Sequence, residues 1–270
     1  MTAELIGGGF LAGYLRHHLD RNVPATVLAA GVSDTAESAP ERFLREAALV
    51  SETARRCRER GRLLVFLSSA STGLYGRAGV GLEDVPAEPV SPYGRHKLAM
   101  ERLVADSGAL RLTLRLSHLV GPGQNPAQLV PSLVRQIRTG RVTVHRGARR
   151  DLMDVRHFAT VLDRLLALGV CDHTVNVASG TSVPTERIVR TLETAMGRSA
   201  HRAFHDVPAE TLSVSNRRLR ALVPEAAGFG FGPDYLDDLV RRYVGEERRP
   251  EKSRDGYARP PASLGKCSQK

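Results

Sequence analysis

Tyr93 and Lys97 are the residues whose types and spacing most favour catalysis in this chain. Four residues make about one helical turn, so both side chains emerge on one face of a helix that begins near Tyr93. A free phenol has a pKa of about 10 and is a poor acid or base at neutral pH. A nearby ammonium favours the phenolate and lowers that pKa. The spacing therefore predicts a phenol that exchanges a proton with a substrate; the alternative is an ordinary surface helix.

A hydroxyl that could assist this phenol follows a predicted buried strand. The run from Leu63 to Leu67 is continuously apolar and leads into Ser68 and Ser69. A serine hydroxyl that faces the tyrosine could bind the same substrate oxygen. Together the three side chains could move a proton on or off a carbinol while a hydride leaves or arrives elsewhere.

A glycine-rich turn lies near the start of the chain. Gly7 to Ala12 reads GGGFLA and fits the pattern GxGxxA, between a short predicted strand, Ala3 to Ile6, and a predicted helix. Glycines let the backbone approach a pyrophosphate, and the helix N-terminus offers it unpaired amides. The turn therefore predicts a phosphate cradle, with a plain tight turn as the alternative.

Composition restricts the class of protein. A chain of 270 residues can bury a sizeable core as one large domain or a domain with a lobe. The net charge of +10 favours anionic ligands. The arginines are scattered and no nucleic-acid module is recognised, so we expect no nucleic-acid partner. We also expect no metal, because the histidines lack ligand spacing and the cysteines form no CxxC pair.

The sequence also predicts where the protein resides. No apolar run reaches membrane-spanning length, and the N-terminus lacks a charged-then-apolar signal pattern. We therefore expect a cytoplasmic protein without a membrane partner.

Apolar runs alternate with helical patterns along the chain, which predicts an α/β fold with a parallel sheet. The helix that begins near Pro40 carries Phe43, Leu44, Ala47, Ala54 and Cys57 at helical spacing. Further predicted elements are strands at Ala25 to Ala29 and Leu110 to Leu116, helices at Tyr93 to Ala105, Leu129 to Thr139 and Pro233 to Val244, and a hairpin-like segment at Val142 to Val155.

Several stretches, in the same order, resemble the extended short-chain dehydrogenase/reductases, specifically the NAD(P)-dependent epimerase/dehydratase family that acts on nucleotide sugars. That family has a strand ending in Ser or Thr, a Tyr-Gly pair, an acidic proline-rich loop and SPYGxSK. The matching runs are residues 66–70, 75–76, 82–89 and 91–97, followed by 114–124 (LRLSHLVGPGQ), 150–155 (RDLMDV) and 175–180 (VNVASG). The resemblance extends from about Leu5 to Val244.

The resemblance implies a Rossmann-like doubly wound parallel sheet with a small C-terminal substrate lobe. We expect one domain over residues 1–245, with a Rossmann core at about 1–125 and an interleaved lobe at about 125–245. Residues 246–270 are charged and predict a disordered tail. A homodimer through the helices at Pro40 to Arg60 and Tyr93 to Ala105 is a further implication.

The resemblance also assigns roles to residues. Tyr93 becomes the acid/base, and Lys97 lowers its pKa and holds the nicotinamide ribose of NAD or NADP. Counting from the strand end makes Ser69 the catalytic hydroxyl, whereas counting back from Tyr75 selects Ser71. The remaining cofactor-binding residues are Gly7, Gly9, Phe10, Leu11, Ala29, Ala30, Gly31 and His118, and the substrate-binding residues are Ser71, Asn125 and Arg150.

The chain departs from the family pattern at positions that concern the cofactor and the substrate. His118 replaces an asparagine and Asp154 replaces a histidine. Between the first helix and Ala25, one strand-helix-strand unit is missing, including the residue that selects NAD from NADP. The resemblance as a whole implies a nicotinamide-dependent oxidoreductase or epimerase for a nucleotide-activated sugar. The alternatives are non-redox proton transfer, such as elimination, isomerisation or cyclisation, on the same fold, or a non-catalytic binding protein.

Overall fold

The computed structural model describes residues 3–19 and 23–247. Its strands are β1 (Glu4–Ile6), β2 (Ala25–Leu28), β3 (Leu63–Ser69), β4 (Val80–Gly81), β5 (Arg111–Leu116), β6 (His118–Val120), β7 (Arg141–Arg146), β8 (Arg149–Asp154), β9 (His173–Val177), β10 (Ser182–Pro184), β11 (His201–Asp206) and β12 (Ser213–Val214). Its helices are α1 (Phe10–His18), α2 (Pro40–Glu59), α3 (Thr72–Tyr75), α4 (Pro92–Asp106), α5 (Leu129–Arg138), α6 (Val155–Ala167), α7 (Thr185–Met196), α8 (Arg217–Leu222) and α9 (Tyr235–Glu247), with a 3₁₀ helix at Pro224–Phe229.

The central sheet is parallel and has the order β1-β2-β3-β5-β9. In a full Rossmann sheet, strands lie on both sides of the first strand. Here β1 pairs with β2, and within residues 3–19 and 23–247 no strand pairs with its other edge. The predicted α/β class and the shortened sheet are both confirmed.

Both faces of this sheet are covered by helices. Successive side chains of a strand point to opposite faces, so the continuous apolar strands present apolar side chains to helices on both sides. Val65 packs with Leu15 of α1 and Phe158 of α6. Its neighbour Phe66 packs on the other face with residues of α2 and α4, such as Met100. The carboxyl ends of the strands are thereby held at one edge, where ligands bind in open α/β sheets.

The C-terminal part contains a separate apolar cluster formed by α5, α7, α9 and nearby strands. The predicted hairpin at Val142 to Val155 is wrong. β7 pairs in parallel with β11, whereas β8 pairs with β10 and β6. Val142 and Val144 of β7 belong to the cluster under α5 and α7, and this burial draws β7 away from β8.

The predicted buried face of α2 is partly wrong. Leu44 is 69% exposed, whereas Glu46 is buried beside Val50, Ala54 and Cys57. The helix presents a carboxylate to the protein interior at a position that the apolar pattern did not indicate. At the other end of the chain, α9 continues to Glu247, and residues 248–270 of the predicted tail lie outside the described residues.

Among the described residues, no helix is both long and apolar enough to cross a membrane. Within 3–19 and 23–247, histidine, cysteine and carboxylate side chains form no group of three or more that could hold a metal ion.

His157 connects α6 to the C-terminal helix. Its Nδ1 lies 2.8 Å from the hydroxyl of Tyr235, and its ring stacks on Phe229 with centroids 4.3 Å apart. Burial lowers the pKa of His157 to about 4, against a partial opposing effect of Asp154. The folded protein therefore contains this imidazole in its neutral form at neutral pH.

We expect acid to destabilise the protein through His157. The neutral imidazole stabilises the fold fully above pH 6.5, and this contribution is lost as the pH falls towards 4. At about 1.4 kcal/mol per pH unit, the loss amounts to about 3 kcal/mol. Denaturant unfolding at pH 4 to 7 measures it. His157→Gln is expected to flatten the pH dependence, and His201→Gln, at an exposed histidine, to leave it unchanged. Equal slopes in all three proteins would contradict this assignment.

Candidate active site

Tyr93 lies in the first turn of α4, above the end of β3. The helix begins well because Ser91 accepts a hydrogen bond from the amide of Gly94 at 3.0 Å and Pro92 occupies the first position. Gly94 allows close contact with α3, since a Cβ there would lie 1.9 Å from the carbonyl oxygen of Gly73. This packing fixes the direction of the Tyr93 side chain.

Ser69, the last residue of β3, forms a hydrogen bond with the Tyr93 side chain. Both residues are buried. The hydroxyl of Ser71, by contrast, is buried with no hydrogen-bond partner in the structure. Of the two serines that the sequence left open, the structure brings Ser69 to Tyr93.

The predicted low pKa of Tyr93 is wrong. Burial raises the pKa to about 12, and the negative charges of Glu46 and Asp34 add to that rise. The hydrogen bond with Ser69 offsets only part of it. Tyr93 is therefore a protonated phenol at neutral pH.

Lys97 does not act on Tyr93 as the spacing predicted, because its charge is taken by Glu46. The Lys97 Nζ donates to Glu46 Oε1 at 2.7 Å, and the two side chains are 5% and 1% exposed. The same Nζ lies 5.7 Å from the ring centre of Tyr93. A buried ion pair thus stands one helical turn from the phenol.

Glu46 receives donors from two further groups. Its Oε2 accepts from the amide of Val32 at 2.9 Å and lies 2.9 Å from His96 Nε2. Burial would raise the pKa of Glu46, but the charge and hydrogen bond of Lys97 and the other donors hold it below its usual value. Gly31, at a φ of +137°, makes room, since a Cβ there would lie 2.3 Å from Glu46 Oε1. The carboxylate is therefore ionised and enclosed.

The glycine turn has the form of a phosphate cradle. Gly7 has a φ of +147°, and a Cβ there would lie 2.4 Å from the carbonyl oxygen of Ala29. Gly8 and Gly9 face open space, and α1 begins at Phe10 without a side-chain cap or an acidic first turn. Its amides are free for an anion.

A cavity of about 610 Å³ adjoins this turn. Gly8, Gly9 and Phe10 line it together with Asn125, which the sequence placed at the substrate. Asn125 also accepts a hydrogen bond from the amide of Ala127 at 2.9 Å. The other predicted cofactor residues nearby are less open, as Leu11 packs on the core and the Ala29 amide donates to the Ile6 carbonyl at 2.8 Å.

The parts of a dinucleotide site fit unequally. The glycine turn, with its open cradle and free helix amides, fits the diphosphate. Lys97 and Gly31 do not fit a ribose in this structure, because the Glu46 carboxylate holds the ammonium and lies against Gly31. The neighbouring Ala30 packs on the apolar cluster that contains Val50 and Phe66. Beside β1, the described residues provide no strand for the adenosine half.

Arg150, predicted to bind the substrate, lies near His118. It donates to Glu210 Oε2 at 2.5 Å. Burial and the charge of Arg150 lower the pKa of His118 to about 4, so His118 is neutral. The neighbouring Asp151 accepts from Ser179 and Gly180, and burial raises its pKa to about 6.

Asp154, which stands where the family pattern has a histidine, has a structural role. It caps α6 by accepting from the amide of Arg156 at 2.9 Å and also binds the Arg156 guanidinium. Arg242 of α9 lies 3.3 Å from the same carboxylate. The substitution anchors the C-terminal helix.

A buried polar network beneath the site was not predicted from the sequence. Arg115 of β5 binds both carboxylate oxygens of Glu101 on α4 and donates to the hydroxyl of Tyr75 at 2.8 Å. Ser68 donates to Glu101 at 2.5 Å, and Tyr75 donates to Asn176 at 2.6 Å. The network joins β3, α4, β5 and β9 next to Ser69.

Comparison with known proteins identifies the fold family. Residues 14–178 match the model of the NAD dependent epimerase/dehydratase family, which is more than half of the chain. The chain belongs to this family. No curated protein matches the sequence.

Several solved structures share this fold at low sequence identity. MoeE5 in complex with UDP-glucose and NAD is 22% identical, with a TM-score of 0.73 over 90% of this chain and 85% of that chain. RMD from Pseudomonas aeruginosa, complexed with NADPH, is 21% identical, with a TM-score of 0.71 over 91% and 99%. UDP-N-acetylglucosamine 4-epimerase from Bacillus cereus is 20% identical, with a TM-score of 0.68 over 84% and 80%.

Proposed function

We propose that this family member is an enzyme that epimerises, dehydrates, oxidises or reduces a nucleotide-activated sugar or a related carbonyl compound with NAD or NADP. The observation that carries the proposal is the hydrogen-bonded pair of Ser69 and Tyr93 at the carboxyl end of β3, with Lys97 one turn away. The UDP-glucose and NAD bound to MoeE5 support the choice of ligands. A cytoplasmic homodimer through α2 and α4 stays a prediction from the sequence.

The chain's own part in the reaction is proton transfer. Tyr93 is protonated at neutral pH, so its phenol suits donation of a proton to a substrate carbonyl oxygen. The Ser69 hydroxyl, which is hydrogen-bonded to Tyr93, can donate a hydrogen bond to the same carbonyl oxygen. A nicotinamide, when bound, supplies or accepts the hydride.

The charges around the site suit an anionic substrate. The free amides of α1 face the cavity at Gly8 and Gly9, and Arg150 lies at the start of β8. A guanidinium binds phosphate oxygens well. Arg150 would have to exchange Glu210 for the diphosphate of a nucleotide sugar, which is the role that the proposal gives it.

A second candidate is proton chemistry without nicotinamide turnover. It is favoured by the Glu46–Lys97 ion pair, which takes up the ammonium, and by the outer edge of β1, with which no strand of the described residues pairs. Under this reading Tyr93 and Ser69 still transfer a proton in an elimination, isomerisation or cyclisation.

Calorimetric titration with NAD, NADH, NADP and NADPH separates the two candidates. We expect one oxidised and reduced pair to bind at the glycine turn. At about 100 times its dissociation constant the ligand adds about 2.7 kcal/mol of stability. This raises the melting temperature by about 5–10 °C in a chain of this size.

A variant pair at the glycine turn provides the control. Gly9→Asp places a carboxylate at the α1 N-terminus, in open space and at an ordinary φ of −84°, and is expected to abolish nucleotide binding. Gly9→Ser makes a similar helix cap without the charge and is expected to retain nucleotide binding. If no nucleotide binds the unmodified protein, the second candidate replaces the first.

A further inference from the structure

Lys97 is the only lysine among the described residues, and it lies in the candidate active site. The sequence has four lysines, and the other three are Lys252, Lys266 and Lys270, beyond the last described residue. Within residues 3–19 and 23–247, the basic residues other than Lys97 and the histidines are all arginines. The Lys97 Nζ lies 5.7 Å from the ring centres of both Phe66 and Tyr93. A compact ammonium fits this space, unlike the planar fork of arginine.

The anion that meets this ammonium belongs to the protein itself. Glu46 is held from three sides, by Lys97 and His96 of α4 and by the amide of Val32. The His96 ring is fixed in turn by stacking on Phe43 at 4.4 Å. Because its side chain is only 1% exposed, Glu46 is part of a built interior site and not a surface ion pair.

We propose that Glu46 is a positioning residue that holds the Lys97 ammonium away from the Tyr93 phenol until a ligand hydroxyl, such as that of a ribose, takes its place. The inference rests on the proposed function, in that it concerns a ligand at Lys97. Glu46 and the ligand hydroxyl compete for the Lys97 ammonium. Ligand binding then requires the Glu46–Lys97 hydrogen bond to break.

The groups that face Tyr93 support this assignment. They are Ser69 from β3, Glu46 from α2, Asp34 from the segment between β2 and α2, and Lys97 from α4. The two carboxylates disfavour the phenolate, and Lys97 is neutralised by Glu46. Once a ligand hydroxyl replaced Glu46, the ammonium would be free to favour the phenolate.

The Glu46–Lys97 hydrogen bond can be observed without any activity assay. NMR of protein with ¹⁵N-labelled lysine and ¹³C-labelled glutamate is expected to show one protected ammonium signal with a coupling across the hydrogen bond to a glutamate carboxyl. Addition of NAD or NADP, whichever binds, is expected to abolish that coupling. A bound nucleotide with the coupling unchanged overturns the inference and leaves the proposed function standing.

Two matched variants test the competition. Glu46→Gln is expected to bind the nucleotide at least about tenfold more tightly, because apparent affinity scales with the fraction of competent sites. Glu101→Gln removes another buried carboxylate, one that pairs with Arg115, and is expected to leave affinity unchanged. Equal affinity of Glu46→Gln and the unmodified protein, or equal gains in both variants, overturns the inference.

The variant itself poses a folding problem, since Glu46→Gln leaves a buried ammonium without its counter-ion. If it does not fold, the NMR measurement on the unmodified protein decides the question alone. Absence of nucleotide binding in both the unmodified protein and Glu46→Gln overturns the inference together with the nicotinamide-dependent function. Undiminished turnover in Tyr93→Phe counts against the proposed function only.

Discussion

Turnover is expected to fall by about 10²-fold to 10⁴-fold when Tyr93 is replaced by phenylalanine. The change removes the hydroxyl that we propose as the proton donor and keeps the ring in its buried position. Stability is expected to change by about 1 kcal/mol, since one hydrogen bond with Ser69 is lost. A large loss of rate with a small loss of stability is the signature of a catalytic phenol.

Consumption of UDP-glucose, followed by ¹H NMR with the nucleotide that binds, would measure this effect. UDP-glucose is the probe because MoeE5 binds it. Tyr75→Phe serves as the control, as Tyr75 is a second buried tyrosine whose hydroxyl binds Arg115 and Asn176. It is expected to lower stability and to retain turnover per folded molecule. If both variants keep full turnover, Tyr93 is not the acid.

The sheet could be predicted because its signals are local. Continuous apolar runs such as Leu63 to Leu67 show a strand buried on both faces, and the helices between such runs fix the parallel direction. The short connection before Ala25 leaves no room for the strand-helix-strand unit of the family pattern, and within residues 3–19 and 23–247 no strand pairs with the outer edge of β1, as that comparison predicted. The prediction that β7 pairs with β8 was wrong, because two strands joined by a short turn at Gly147 can each pair with a different partner.

The proximity of Ser69 and Tyr93 was predictable for the same reason, since a strand end and a helix start were both marked in the sequence. Glu46 was not, because a carboxylate between apolar residues has no recognisable role until its donors are known. Those partners, Lys97, His96 and the Val32 amide, all lie outside α2. The pKa of Tyr93 was mispredicted as a consequence: spacing along one helix identified the ammonium and not the anion that neutralises it.

The largest loss of stability is expected from Arg115→Met. Arg115 and Glu101 are 6% and 8% exposed, so removal of the guanidinium leaves a buried carboxylate without its counter-ion and takes one donor from the Tyr75 hydroxyl. Breaking a buried pair in this way costs about 3–5 kcal/mol. Arg55→Met, at an exposed pair with Glu52, is the control and is expected to cost less than about 1 kcal/mol.

The double variant Arg115→Met/Glu101→Leu distinguishes a charge effect from a packing effect. With neither charge left in the interior, most of the lost stability is expected to return, because apolar side chains of similar volume often replace a buried ion pair without loss. Denaturant unfolding of the unmodified protein, the single variants Arg115→Met and Glu101→Leu, and the double variant gives the coupling free energy between the two side chains. A double variant as unstable as Arg115→Met would mean that the network under Ser69 depends on the volume and hydrogen bonds of Arg115, and not on its charge.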